Sequence, residues 1–299
     1  MKNFIIKSLF VLFAVNMSSG QPWMTDLETA QSLASVQNKM VLMVWEESTN
    51  YPYHVFVNDD KGNTILIQNM FEDESISPLI WQHFVPVIVS EFKYEDLFKA
   101  IKGKRSQEYI DKFNDDSIKI LDTNGNILNV LYYTENYQNI STLIQNYALN
   151  TAFISNELNG YDKKKDFYSA FYLSSKYLDF SMYMKEEVRE EIIDLSTIYL
   201  KEATALIVTS PTEEQLALKQ RVALLEIQKY LILERPRKVL RQLKRMEAEN
   251  IAANNQAFFA FLYYTSYKIL NDNTKAEAWK SKLSSVDLKK AQQLININS

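Results

Sequence analysis

The chain has 299 residues, a net charge of −4 at pH 7 and no cysteine. The lack of cysteine excludes disulfides, thiolate metal ligands and thiol nucleophiles. The acidic balance argues against nucleic-acid binding, which needs a basic footprint.

The first 20 residues have the order of a secretory signal peptide. Lys2 and Lys7 form a basic start, an apolar run covers residues 9–15, and small residues lead up to Gly20. This run is far shorter than the ~20 residues that a membrane-spanning helix needs. We therefore expect cleavage after Gly20, with export to the periplasm or cell envelope of a Gram-negative bacterium and no integral membrane span in the mature chain. Retention of the segment as a membrane tether is the alternative.

Residues 21–150 alternate short apolar runs with helical patterns. Asp26 is a suitable cap for a helix ending near residue 37, and the continuous apolar runs at 39–45 and 84–90 are typical of buried strands. Between them, a hairpin is predicted around residues 58–63. Further helices are predicted at 75–83 and 94–113. Strands at 117–121 and 126–132 flank Asn124-Gly125, a strong tight-turn signal.

From about residue 135 the chain shows almost only helical periodicity. Ser210 is expected to cap the helix that contains Pro211, and Asn273 or Thr274 the next-to-last helix. Short connections favour antiparallel neighbours and hence stacked helical hairpins. The predicted helices are 137–158, 162–180, 185–208, 211–233, 236–249, 254–270, 274–283 and 286–294. The sequence thus predicts an α/β domain at 21–150 and an all-α domain at 151–299.

Several segments of the first half follow one another in a familiar order. They are Trp23 with the helix 26–37, the strand 38–45, the segments 71–76 and 83–87, and the Leu-Asp-x-x-Gly turn of 117–125. In this order and spacing the half resembles the thioredoxin superfamily, particularly the exported thioredoxin-like domains of bacterial envelopes. The resemblance implies a thioredoxin-like fold whose central strand leads into a redox motif.

The departures from that family lie at its chemistry. Residues 46–52, which follow the central strand, contain no sulfur, and the hairpin predicted between Trp45 and Phe71 stands where the motif-bearing helix would begin. Asp116 occupies the place of the family's cis-proline, so a trans peptide bond is expected there. The resemblance therefore implies a redox-inactive domain that keeps an exposed groove, used either for binding or only for packing.

The helical half resembles tetratricopeptide-type arrays more loosely. The matching stretches are 167–172 with Tyr177-Leu178, and 257–267 followed by 271–276 and Trp279. No clean 34-residue period can be registered. The resemblance implies a TPR-like stack with a concave surface suited to a peptide or protein, although the aromatic residues at 258–267 belong first to the core.

Candidate chemistry is sparse. The two histidines, His54 and His83, fall in different elements without metal-ligand spacing, so no metal or cofactor is expected. The acid pairs at 59–60 and 115–116 lie in predicted turns. Glu46-Glu47 is the more interesting pair because it follows the central strand, where α/β proteins place function. An acidic pair without an identifiable partner is nevertheless more typical of a solvated loop, and this is the favoured interpretation. We name no catalytic, cofactor-binding or metal-binding residue.

Two surface motifs are interpreted conservatively. The sequon at Asn139 is discounted because it falls in a predicted helix. A basic run, for which a solvated helix face is favoured over a polyanion site, comprises Arg235, Arg237, Lys238, Arg241, Lys244 and Arg245.

These patterns favour an exported, non-enzymatic protein that binds a protein or peptide and has no nucleic-acid partner. Two alternatives remain open: a membrane-tethered structural component with a retained signal anchor, and a carboxylate-based hydrolase that uses Glu46 and Glu47.

Overall fold

The computed structural model describes residues 21–130, 139–246 and 250–298. It is a mixed α/β structure, rich in helix and with a small sheet, and it divides into two compact units, Met1–Thr151 and Ala152–Ser299. Four predicted segments lie outside the described residues: the signal peptide, residues 131–132 of the last strand, residues 137–138 of the helix predicted at 137–158, and residues 247–249 of a later helix. Among the described residues, no helix combines the length and apolarity needed to cross a bilayer.

A four-stranded sheet with the order β4-β1-β5-β6 forms the centre of the first unit. The central strand β1 is parallel to β4 and antiparallel to β5. All six of its residues are buried, as its apolar run predicts. A separate two-stranded sheet joins β2 to β3. The strands are β1 Met40–Trp45, β2 Val55–Asn58, β3 Thr64–Ile67, β4 Phe84–Val89, β5 Lys119–Leu121 and β6 Ile127–Val130.

Aspartates shape both hairpin turns. Asp59 Oδ1 accepts from the amides of Lys61 and Asn63 at 2.9 and 2.8 Å. Asp122 Oδ1 accepts in the same way from Asn124 at 3.0 Å and from Asn126 at 2.9 Å. Both hairpins predicted from sequence are confirmed.

Five α-helices lie in the part of the first unit that the structure describes. The predicted cap of the first is confirmed, because Asp26 accepts from the Thr29 amide at 2.8 Å. The single helix predicted at 94–113 is wrong: the chain breaks at Gly103, with φ +73°, and Ser106 caps a second helix. These helices are α1 Leu27–Gln37, α2 Ile76–His83, α3 Tyr94–Ile101, α4 Gln107–Asn114 and α5 Ile140–Tyr147.

The second unit is all-helical in its described residues. Its first hairpin pairs α7 with α8 through reciprocal hydrogen bonds: Ser174 Oγ donates to Ser196 O at 2.8 Å, and Ser196 Oγ donates to Ser174 O at 2.7 Å. The buried rings of Tyr177 and Tyr199 stack beside this pair. The helices are α6 Ser155–Lys163, α7 Phe167–Ser181, α8 Glu186–Leu206, α9 Thr212–Ile232, α10 Pro236–Met246, α11 Gln256–Ile269, α12 Asn273–Lys280 and α13 Ser285–Ile297.

Some predicted helix ends and caps are wrong. The helix predicted at 137–158 is two helices, α5 and α6, separated by a 3₁₀ turn at Thr151–Ile154. Pro211, not Ser210, is the N-cap of α9. The cap of α12 is Asp272, which accepts from the Lys275 amide at 3.2 Å.

Candidate functional site

The carboxyl ends of β1 and β4 meet at one edge of the sheet. The two strands are parallel, and Trp45 pairs with Val89 at their ends. β1 runs directly into a 3₁₀ turn, Glu46–Asn50, and β4 is followed after Ser90 by a second 3₁₀ turn, Glu91–Lys93. The turns are joined because the Glu47 amide donates to Glu91 Oε1 at 2.6 Å.

A third segment, the link between α4 and β5, reaches the same edge. Ser48 Oγ donates to the carbonyl oxygen of Asp116 at 3.1 Å. The structure thus brings together the two segments that the resemblance places at a redox site, residues 46–52 and Asp116. The peptide bond at Asp116 is trans, as expected. We call these three joined segments, residues 46–50, 91–93 and 115–116, the carboxyl edge.

An aromatic cluster of Trp45, Tyr94 and Phe113 packs next to the carboxyl edge. Trp45 is buried and packs edge-to-face on Phe113, with ring centres 5.5 Å apart. Tyr94 lies 5.8 Å from Trp45, and its hydroxyl donates to Asn114 Oδ1 at 2.6 Å. These contacts join the last residue of β1 to α3 and α4.

Lys119 lies fully buried beside this cluster. Its Nζ donates to the carbonyl oxygens of Ser117, at 3.2 Å, and Asp115, so it ties down the link before β5. Burial lowers the pKa of Lys119 to about 8, although the carboxylates of Asp115 and Asp116 raise it. Sequence reasoning missed this residue; the available signal was a lysine in the middle of the apolar run Ser117–Leu121.

The outer surface of the carboxyl edge is acidic and carries exposed aromatic side chains. Glu46, Glu47 and Asp116 are exposed, and no lysine or arginine of the described residues forms an ion pair with them. Phe92 is 96% exposed in its turn, and Tyr51 is 73% exposed just beyond the first turn. Phe92 therefore shares the carboxyl edge with the exposed side chains of Glu46, Glu47 and Asp116.

The other residues singled out in the sequence do not form a site. His54 Nδ1 contacts the carbonyl oxygen of Gln68, while burial and the charge of Lys39 lower the pKa of His83. Within residues 21–130, 139–246 and 250–298, no three His, Asp or Glu side chains are grouped as metal ligands.

The sequon asparagine is engaged within the fold. Asn139 is buried and is the N-cap of α5, not a residue inside a helix as predicted. Its Oδ1 accepts from the Thr142 amide at 3.1 Å, and its Nδ2 donates to Asn58 Oδ1 at 2.9 Å. The nitrogen that glycosylation would modify is therefore held between two elements of the folded unit.

Comparison of the chain with protein-family models, with curated proteins and with solved structures finds no match.

Proposed function

We propose that this protein is an exported, non-enzymatic binding protein that holds a protein or peptide at the carboxyl edge of a redox-inactive, thioredoxin-like domain, with a TPR-like helical domain as its second part. The observation that carries the proposal is the carboxyl edge itself. Three chain segments are joined there by hydrogen bonds at 2.6 and 3.1 Å, and they carry the exposed side chains of Phe92, Glu46, Glu47 and Asp116.

The fold names in this proposal rest on topology and on order along the chain. A buried central strand and a closing antiparallel hairpin, β5 with β6, agree with what the resemblance implies. The inserted hairpin β2 and β3 follows the turn at Glu46–Asn50, where the redox helix would begin. In the second unit, the hairpin of α7 and α8 supports a TPR-like arrangement.

The absence of thiols leaves binding as the best-supported use of this edge. Glu46 and Glu47 have exposed side chains, whereas a carboxylate acting as general acid or base needs a partly desolvated position beside its substrate. An exposed ring such as Phe92, on an edge that also carries exposed carboxylates, fits a partner with an apolar side chain flanked by lysine or arginine.

Site-specific photocrosslinking in the native cell tests the proposal. A photoreactive phenylalanine analogue replaces Phe92 in one strain and Val36, which is 80% exposed on α1 of the same unit, in a control strain. We expect a discrete adduct from position 92 and none from position 36. The adduct should vanish when Glu46→Lys and Glu47→Lys are added, because the charge of the edge is then reversed.

Identical adducts from both positions, or an adduct that persists after charge reversal, would contradict the proposal. Export is tested separately by the intact mass of the protein from its native cells. A chain that starts at Gln21 supports export with cleavage, and a chain that retains residues 1–20 contradicts it.

A further inference from the structure

Helix α10 has one face made only of basic side chains. These side chains, called the basic face here, are Arg237, Lys238, Arg241, Lys244 and Arg245. Each residue advances about 100° around a helix, so the five occupy about a third of the circumference. On the opposite side Val239, Leu243 and Met246 are buried in the core. Packing therefore fixes the orientation of α10 and turns the basic face outward.

The cations of the basic face form no ion pair with a carboxylate that the structure describes. Four of them are exposed, and Lys238 lies 3.6 Å from the centre of the Tyr230 ring. Lysines on other helices do form ion pairs, as Lys99 does with Glu95 at 2.8 Å. Among residues 21–130, 139–246 and 250–298, the basic face thus differs from these paired lysines.

This arrangement does not serve the stability of the fold. Like charges three or four residues apart on a helix repel one another, as Arg237 and Arg241 do, and Arg241 and Arg245. Interspersed acids would relieve this repulsion at no cost to the buried side of α10. An anionic partner relieves this repulsion as well, and a face of uniform sign is complementary to such a partner.

The spacing of the arginines defines the partner further. Arg237, Arg241 and Arg245 recur every fourth residue, which places them about 6 Å apart along the axis. A helix with carboxylates at every fourth residue has the same repeat, and guanidinium groups bind carboxylates through two parallel hydrogen bonds. A helix that binds a bilayer turns its apolar side to the lipid, whereas that side of α10 is in the core.

We propose that the basic face binds an acidic α-helical segment of a partner protein, with one carboxylate per four residues in register with the three arginines. The basic face belongs to the second unit, so this surface and its test are independent of the carboxyl edge.

The test uses the full-length protein and a fluorescent synthetic peptide of about 20 residues, long enough to be helical in an alanine-rich background. The peptide carries glutamate at every fourth position. We expect its affinity, measured by anisotropy, to fall as salt rises from about 50 to about 200 mM. The variant Arg237→Gln, Arg241→Gln, Arg245→Gln should lower the affinity by about tenfold or more.

A matched control keeps this result specific. The variant Lys61→Gln, Lys104→Gln, Lys163→Gln makes the same change in net charge at exposed lysines, and its affinity should stay within about twofold of the parent. A peptide of identical composition with its glutamates at one end should bind about fivefold more weakly, because it loses the register. Circular dichroism confirms that each variant is folded. If the triple arginine variant does not fold, the single variant Arg241→Gln replaces it, with a smaller expected decrease in affinity for the peptide.

Three outcomes would overturn the proposal: equal losses in the two triple variants, equal affinity for the two peptides, or binding to phosphatidylglycerol vesicles that depends on the arginines while the periodic peptide does not bind.

Discussion

The ammonium nitrogen of Lys119 lies 5.8 Å from the centre of the Trp45 ring, in the interior of the first unit. It is held there by carbonyl oxygens of its own segment and forms no ion pair with a carboxylate of the described residues. The side chain is fully buried, and burial lowers its pKa from 10.5 to about 8. A buried cation of this kind makes the stability of the protein depend on pH.

We expect Lys119→Met to stabilise the protein near pH 7 and to lose that advantage in alkali. The folded pKa is below the unfolded pKa, so the cost of the buried charge is complete below pH 8 and fades between pH 8 and 10.5. At pH 7 the cost is about 3 kcal/mol, offset by about 1 kcal/mol for each hydrogen bond that methionine cannot make. Urea unfolding at pH 7 and pH 10 measures the difference, which should shrink by about 2 kcal/mol.

The control for this experiment is Lys104→Met, at an exposed position. This change removes no buried charge and should shift the unfolding free energy equally at both pH values. A stability difference between Lys119→Met and the parent that stays constant from pH 7 to pH 10 would show that Lys119 titrates in the same range folded and unfolded, contrary to the prediction.

Two glycine-to-alanine substitutions should change stability in opposite directions. Gly125 has φ +82°, and a Cβ there would lie 2.4 Å from Gln31 Nε2. The flexible glutamine can move aside, but the left-handed backbone costs alanine about 1–2 kcal/mol. Gly160 lies inside α6, where an added Cβ meets nothing within 4 Å. Gly160→Ala should therefore add about 0.5–1 kcal/mol to the free energy of unfolding. Thermal melts that move both variants in the same direction would refute this assignment.

The two hairpin turns test whether burial determines how much an aspartate side chain contributes to stability. Asp122 is fully buried and accepts two backbone amides. Asp122→Ala leaves both amides without that acceptor in the interior, at a cost of about 2–4 kcal/mol. Asp59 makes the same two contacts at the surface, where water can replace it, so Asp59→Ala should cost clearly less. Chemical denaturation measures the free energy of unfolding of both variants. Equal decreases in the two would mean that burial does not determine how much each aspartate stabilises its turn.

Strong local signals predicted much of the first unit. The apolar runs gave β1 and β4, and Asn124-Gly125 marked the turn between β5 and β6, since each pattern has one favoured local structure. Breaks that depend on distant contacts were missed. The helix predicted at 137–158 is interrupted where the Thr151 amide donates to Asn38 O at 3.0 Å. That contact lies more than 100 residues away in the sequence, beyond the reach of periodicity.

The candidate site was predicted in part. Glu46 and Glu47 at the end of β1 followed from strand order, and the place of Asp116 followed from counting back from the turn at Asp122. The burial of Lys119 could not be predicted from the alternation of side chains along β5, because all three residues of this strand are buried. It follows from the place of β5 between β1 and β6, which local sequence does not determine.

The serine pair between α7 and α8 should show energetic coupling. Ser174 and Ser196 are both buried, each hydroxyl donates to the other residue's carbonyl oxygen, and the two Oγ atoms lie 3.0 Å apart. Each single change to alanine should cost about 1 kcal/mol. The double variant should cost less than the sum by about 0.5–1 kcal/mol, because the first substitution already disrupts the shared contact.

Ser181 is the control for that cycle, since its hydroxyl donates to Leu178 O within the same helix. A cycle of Ser174→Ala with Ser181→Ala should be additive, because the two side chains share no hydrogen-bonding partner among the described residues. Urea unfolding of the six proteins that these two cycles need supplies all the free energies. Additivity in the Ser174 and Ser196 cycle as well would mean that the reciprocal bonds act independently, so that the hairpin of α7 and α8 depends on its apolar and aromatic contacts and not on a coupled polar pair.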